Sequence, residues 1–262
     1  MRDIAFVMLF MPMLILAIRH IHVATMLWIW TALAGPTNYM FGFAANIPFN
    51  KFAVAGTIVA VFLDNCRRKP HFDAHMILLT LFLVQGILSF SFGLTSFPRT
   101  YELLDKMSKI SILCLFMTMA YRGRLQIHAT VLVLCLSLGI TGVLDGLKFV
   151  ASAGQYKMAD SPTLGDNNYL ALAGLMVLPL LLYMNKYSSV RAVRVLFLSA
   201  FFAIFLGIVA TASRGGLIGL FVFGLMTVVQ GRRKFLNMLM VGVFGAGLVF
   251  FAPAQWSERM QT

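Results

Sequence analysis

Charged residues are scarce in this chain. Asp, Glu, Lys and Arg make up 11% of its 262 residues, whereas hydrophobic residues make up 60%. A soluble domain carries roughly 25% charged residues because its surface faces water, so the composition excludes a water-soluble globule. The apolar residues form runs of the length that a bilayer core requires, roughly 20 residues per helix. The short alternating segments of a membrane β-barrel are missing from the sequence.

Cysteines and the common enzyme motifs are also scarce. The three cysteines, Cys66, Cys114 and Cys135, lack the paired spacing of a metal site, so the sequence predicts neither a zinc site nor a disulfide framework. It contains no P-loop and no dinucleotide fingerprint. We predict no cleavable signal peptide, because Arg19 and His20 follow the first apolar run, where small residues would be expected.

The sequence is rich in apolar spans, about ten in all. They predict an all-α, polytopic transmembrane helical bundle that forms a single domain over residues 1–262, because the backbone polar groups of a span in lipid must be paired within a helix. Only Arg19 and His20 separate the first two spans, which form either a tight hairpin or a re-entrant unit. The predicted spans cover residues 4–18, 21–34, 52–63, 75–95, 109–121, 127–150, 169–184, 195–211, 215–229 and 235–251.

The net charge of +12 is explained by membrane topology. Lys and Arg concentrate in alternate connections, as the positive-inside rule requires. The cytoplasmic side, which includes Arg19, receives 12 Lys and Arg against 2 Asp and Glu, and the outer side receives 9 against 7. The bilayer is therefore the expected partner, and nucleic acid is not. The predicted cytoplasmic segments are 64–74, 122–126, 185–194 and 231–234; the outer ones are 35–51, 95–108, 151–168, 213–215 and 253–262.

The most informative segment is the short outer connection Ser213-Arg214-Gly215. Ser213 suits the N-cap of the next helix. A helix N-terminus presents N–H groups and a positive dipole end, so this segment could bind an anion, with Arg214 as a two-pronged donor. The alternative is that Arg214 only reaches toward the interface and that Gly215-x-x-x-Gly219 packs helices.

A second polar segment, Asp166-Asn167-Asn168, opens a span on the same predicted side. Asp and Asn favour N-cap positions, and a negative charge suits the positive helix end, so we expect at least one of them to cap the helix. The functional alternative is that the remaining amides and the carboxylate bind a polyhydroxylated ligand such as a sugar.

Two other polar groups of the outer side have a structural interpretation, with a functional alternative for each: a place in a polar cavity for Asp145 and Lys148, and the border of a lipid-substrate entrance for residues 98–109. Asp145 and Lys148 lie three residues apart on one span and can pair across a helical turn. Residues 98–109 resemble a short amphipathic helix on the outer surface. Gln85 is the main polar residue in the middle of a span.

In their order and membrane placement, the segments 165–168 and 213–215 resemble those of the bacterial O-antigen ligase and polymerase superfamily. The chain looks closest to the O-glycosylation ligases associated with exosortase systems, which its residues 1–3, 41–49 and 255–260 also resemble. The similarity runs along essentially the whole chain.

The resemblance implies a GT-C-like glycosyltransferase of the bacterial inner membrane. Such an enzyme moves a glycan from a polyprenyl-pyrophosphate carrier to an acceptor hydroxyl at the periplasmic face, without a metal or other cofactor. By analogy Arg214, with Ser213 and Gly215, holds the pyrophosphate, and Asp166, Asn167 and Asn168 shape the outer cavity. The acceptor is not implied.

The chain departs from this family at its end. Family members continue into a large periplasmic loop whose histidine is thought to act as the base, whereas this sequence stops at Thr262. We therefore expect the chain to be the N-terminal part of a longer one; the alternative is an inactive relative. All five of its histidines are predicted at cytoplasmic ends, so we expect no catalytic base in the chain and no transferase activity from it alone. Two alternatives stay open, a polymerase of lipid-linked glycans and a transporter or flippase for a lipid-linked or small polar substrate.

Overall fold

The computed structural model describes residues 2–64, 73–93, 97–156 and 165–230, together with Lys69 and Gly242. Within these residues the regular structure is helical, with nine α-helices and two 3-10 turns. The helices are α1 (Arg2–Arg19), α2 (Ile21–Ala34), α3 (Phe49–Leu63), α4 (Ala74–Phe92), α5 (Phe97–Ala120), α6 (Arg124–Ala151), α7 (Asn167–Tyr187), α8 (Arg191–Ala210) and α9 (Arg214–Gln230). The 3-10 turns are Pro36–Tyr39 and Phe43–Asn46.

Four helices of the described chain, α4, α6, α7 and α8, are long and apolar enough to cross a membrane. Three shorter apolar helices, α2, α3 and α9, accompany them. By the length and composition of its helices, the chain is a helical membrane protein. The span predicted at residues 235–251 lies outside the described residues, apart from Gly242.

The chain divides into two compact units, residues 1–130 and 131–262. In the first, α1, α2 and α3 pack together around Phe10 and Phe49, whose ring centroids lie 4.9 Å apart. One residue separates α1 from α2, and the two helices pack against each other. The Asp3 carboxylate accepts a hydrogen bond from the Ala44 N–H (3.1 Å), and Asp64 accepts one from the Ile21 N–H (3.0 Å), so a carboxylate ties together each end of this three-helix group.

The helix α5, also in the first unit, runs without a break from residue 97 to residue 120. The prediction of a separate amphipathic helix over residues 98–109, followed by a span, is therefore wrong about where the helix ends. No glycine or proline follows Pro98 within α5, and Asp105 forms an ion pair with Lys109 across the predicted boundary. Such an (i, i+4) pair favours continuation of the helix.

The second unit contains α7, α8, α9 and residues 131–151 of α6. Its core includes Val177, Leu178 and Ile204, each at most 1% exposed. The helices α6 and α8 cross with their backbones in contact, since a β-carbon on Gly207 would lie 2.5 Å from the Gly142 carbonyl oxygen. Small residues permit such close crossings in membrane proteins.

Candidate functional site

The helix α9 begins where the chain turns sharply after α8. Ala212 has a left-handed backbone conformation (φ 49°), and the Ser213 Oγ accepts a hydrogen bond from the Gly216 N–H at 3.1 Å. This bond satisfies one of the N–H groups that a helix N-terminus leaves open. The prediction that Ser213 caps α9 is confirmed, and Arg214 is therefore the first residue of the helix.

Two hydrogen bonds join the start of α7 to this turn. The Ser213 Oγ donates to the Asn168 Oδ1 at 2.6 Å, and the Asn167 Nδ2 donates to the Thr211 carbonyl oxygen at 3.1 Å. The partners lie 45 and 44 residues apart in sequence. The two polar segments that the sequence singled out separately therefore form one cluster, at which α7 and α9 both begin.

Asp166 stands at the N-cap position of α7, but its side chain makes no capping hydrogen bond. One of its carboxylate oxygens instead accepts a hydrogen bond from the Asn168 Nδ2 at 3.0 Å. The capping prediction is thus correct in position and wrong in contact. Asn168 donates to Asp166 and accepts from Ser213, so it connects the carboxylate to the first turn of α9.

The exposed surface of the cluster carries charges of both signs. Arg214, Gly215, Asp166 and Asn168 are exposed, whereas Ser213 is 3% exposed. Two helix N-termini meet here, and each brings a positive dipole end that favours an anion. The Arg214 guanidinium adds a permanent positive charge. The arrangement can therefore bind an anionic group beside neutral and acidic groups that hydrogen-bond to hydroxyls.

Of the three glycines in the first turns of α9, two pack against α7 and one is exposed. A β-carbon on Gly216 would lie 2.8 Å from the Ala171 β-carbon, and one on Gly219 would overlap the Leu175 side chain. For a β-carbon on Gly215, the nearest atom would be the Ser213 Oγ, at 3.8 Å. The packing interpretation is therefore correct for Gly219 and wrong for Gly215, whose backbone a ligand can approach closely.

A small cleft lies beside the cluster in the second unit. Its lining includes Thr141, Leu170, Gly174 and Thr211, and its volume is about 10 Å³, barely room for one water molecule. Sites that enclose small molecules usually measure roughly 300–1,000 Å³. Any glycan bound by the described part of this cluster would therefore lie on its exposed surface.

A second polar cluster surrounds Asp145, which is 8% exposed. The Lys148 Nζ lies 3.1 Å from its carboxylate, which confirms the predicted pair. Sequence reasoning missed Tyr156, whose hydroxyl donates to the same carboxylate at 2.9 Å. Burial, and then the hydrogen bond to Asp145, raise the pKa of the Tyr156 phenol. The tyrosine follows a turn at Ala153 and Gly154, and no motif in the sequence points to it.

The described residues hold no cluster of three or more His, Cys, Asp or Glu side chains that could bind a metal ion. Comparison with curated proteins and with solved structures gives no match. Residues 1–189 match a family of unknown function, DUF5935. The matched range includes Asp166, Asn167 and Asn168, and ends before Ser213. Because this match covers more than half of its length, the chain belongs to the DUF5935 family.

Proposed function

We propose that this protein is the membrane part of a glycan ligase. The reaction transfers an oligosaccharide from a polyprenyl-pyrophosphate carrier to an acceptor hydroxyl at the periplasmic face of the bacterial inner membrane. The proposal includes a GT-C-like bundle of about ten spans. It rests on the sequence resemblance and on one structural observation, the 2.6 Å hydrogen bond between Ser213 and Asn168.

That hydrogen bond supports the proposal because it brings an anion-binding element and a hydroxyl-binding element together. A lipid-linked glycan presents a diphosphate directly next to a sugar. Arg214, Ser213 and Gly215 at the start of α9 suit the diphosphate. Asp166, Asn167 and Asn168 at the start of α7 suit the adjoining sugar hydroxyls, because they supply both donors and acceptors.

In the proposed reaction the acceptor oxygen attacks the sugar carbon that carries the diphosphate. The bond between that carbon and the diphosphate oxygen breaks, and the diphosphate leaves with the electron pair. Negative charge therefore grows on the leaving group, where the Arg214 guanidinium stabilises it. A base must take the hydroxyl proton, and we assign this role to no residue of the chain.

The test is glycan transfer in membranes of cells that express the protein together with any segment that completes its active form. We expect Arg214→Ala to abolish transfer while the protein still inserts in the membrane. Arg214→Lys keeps the charge but loses the planar fork, so we expect this variant to keep at best part of the transfer activity.

Arg191→Ala is the matched control. Arg191 is also an exposed arginine at the first position of a helix in the second unit, but it lies at the start of α8, whereas the candidate cluster contacts the end of that helix. We expect transfer by this variant to be unchanged. Normal transfer by Arg214→Ala would refute the proposed diphosphate role.

A further inference from the structure

Within the first unit, the helix α4 has one face that packs against α5 and one that packs against no other helix of the described chain. The less exposed positions recur every three or four residues, at Met76, Leu79, Leu83, Gly86 and Phe90. Leu104 and Met107 of α5 lie 3.7 and 3.8 Å from the β-carbon position of Gly86. Met76 is the one buried residue of α4, whereas α7 has seven buried residues.

Gln85 lies on the opposite face, near the middle of the 19-residue helix. Its neighbours one turn away, Leu81 and Leu88, are 59% and 53% exposed. The Gln85 side chain is itself exposed and makes no hydrogen bond within the described part of the chain. Thr80, also exposed on α4, differs because its hydroxyl donates to the Met76 carbonyl oxygen at 2.8 Å.

The contrast matters because α4 has the length and composition of a membrane span. Hydrocarbon offers leucine a suitable environment, but it cannot satisfy the two donors and the acceptor of an amide. Polar side chains at such positions typically hydrogen-bond to another helix. An amide is complementary to itself, since the carbonyl of one can accept from the NH₂ group of the other. Two copies related by a two-fold axis would satisfy both amides with the same surface.

We infer that the α4 face centred on Gln85 is the contact between two copies of this chain in the membrane. The two α4 helices pack along Leu81, Gln85 and Leu88, and the two Gln85 side chains hydrogen-bond to each other. This contact is independent of the proposed glycan transfer, since it uses the first unit and the candidate site lies in the second.

Cross-linking tests the geometry directly. In a full chain without its three native cysteines, Leu88→Cys should form a disulfide-linked dimer under mild oxidation in native membranes. Ile87→Cys is the matched control: it is adjacent and similarly exposed, at 47%, but it points about 100° away around the helix. Equal cross-linking at both positions would contradict the proposed face.

Energy transfer between labelled copies in lipid vesicles tests the hydrogen bond. Gln85→Leu should raise the dissociation constant of the dimer by about 3- to 30-fold, whereas Thr80→Val should leave it unchanged. A monomer at all lipid dilutions, or a dimer insensitive to Gln85→Leu, would overturn the inference. Cross-linking of Leu88→Cys to a different protein or to another segment of the same chain would also overturn it.

Discussion

At the residue scale, Ser213 has the largest number of roles in the candidate site. Its hydroxyl accepts from the Gly216 N–H and donates to the Asn168 side chain, and it is almost fully buried. The sequence predicted the first role, because a serine before a helix is a local signal. It could not predict the second, because nothing local links residue 213 to residue 168.

We therefore expect Ser213→Ala to lower the free energy of unfolding by about 1–3 kcal/mol, since it removes a cap and a hydrogen bond to Asn168. The measurement is unfolding in mixed micelles. Ser199→Ala is the control: the Ser199 hydroxyl bonds only to carbonyls of its own helix, Val195 and Leu196, at 3.0 Å, so its loss should be nearly neutral.

A double-mutant cycle isolates the contact between the two helices. If the bond between Ser213 and Asn168 holds α7 to α9, the effects of Ser213→Ala and Asn168→Ala should fall short of additivity by about 0.5–1.5 kcal/mol. Strict additivity would show that the two side chains do not interact.

At the scale of elements, the sequence predicted helix positions better than helix limits. The span predicted over residues 75–95 is observed as α4 (residues 74–92), since Asp73 caps its start by accepting from the Met76 N–H at 3.0 Å. The end predicted for the amphipathic helix within α5 is wrong because the chain has no comparable boundary signal there. Hydrophobicity changes near residue 109, but the backbone has no signal to end the helix there, so the charged segment and the apolar segment form one continuous helix.

The crossing of α6 and α8 is another feature that hydrophobicity could not reveal. Gly146 is the clearest case, because a β-carbon there would overlap the Ala203 carbonyl oxygen. In an isolated helix, alanine is more favourable than glycine by roughly 1 kcal/mol. Here the overlap should dominate, since inserting even one methyl group into a packed contact typically costs about 1–3 kcal/mol.

Gly146→Ala should therefore lower the free energy of unfolding, measured in the same mixed micelles. Gly123→Ala serves as the control, because no atom lies within 4 Å of the β-carbon position of this glycine, and we expect a change of less than about 0.5 kcal/mol. A stabilised Gly146→Ala protein would mean that α6 and α8 do not cross closely.

At the scale of the whole molecule, we predict the orientation in the membrane from charge, and the second unit adds a geometric constraint. The starts of α7 and α9 lie together, so whichever side holds Arg214 also holds Asp166. The connection between α7 and α8 lies at the other end of α7. The positive-inside rule assigns that connection, which is rich in Lys and Arg, to the cytoplasm.

Single cysteines introduced at positions 160 and 189, in a chain without its native cysteines, test this orientation. A membrane-impermeant maleimide should label position 160 in spheroplasts, whose outer membrane has been opened and whose inner membrane is intact. It should label position 189, exposed between α7 and α8, only after the inner membrane is opened. Labelling of position 160 only from the cytoplasm would reverse the whole orientation.

The sequence alone could predict the helical membrane class, most of the helices and the two polar segments of the site. Class and helices follow from composition and apolar runs, and the polar segments are conspicuous because each lies directly before an apolar span. Three features depend on tertiary placement, which no local pattern encodes. They are the contact between the two segments, the exposure of Gly215 where Gly219 is packed, and the hydrogen bond from Tyr156 to Asp145.

The central claim is that the joined starts of α7 and α9 bind a lipid-linked diphosphate. The most direct test measures binding of a polyprenyl-pyrophosphate glycan to the purified 262-residue chain in lipid nanodiscs, with no acceptor present. Loss of a charge-assisted hydrogen bond costs about 1.5–3 kcal/mol, so Arg214→Ala should weaken binding by roughly 10- to 150-fold, and Arg191→Ala should not. Equal affinity of the wild-type and Arg214→Ala proteins would contradict the account.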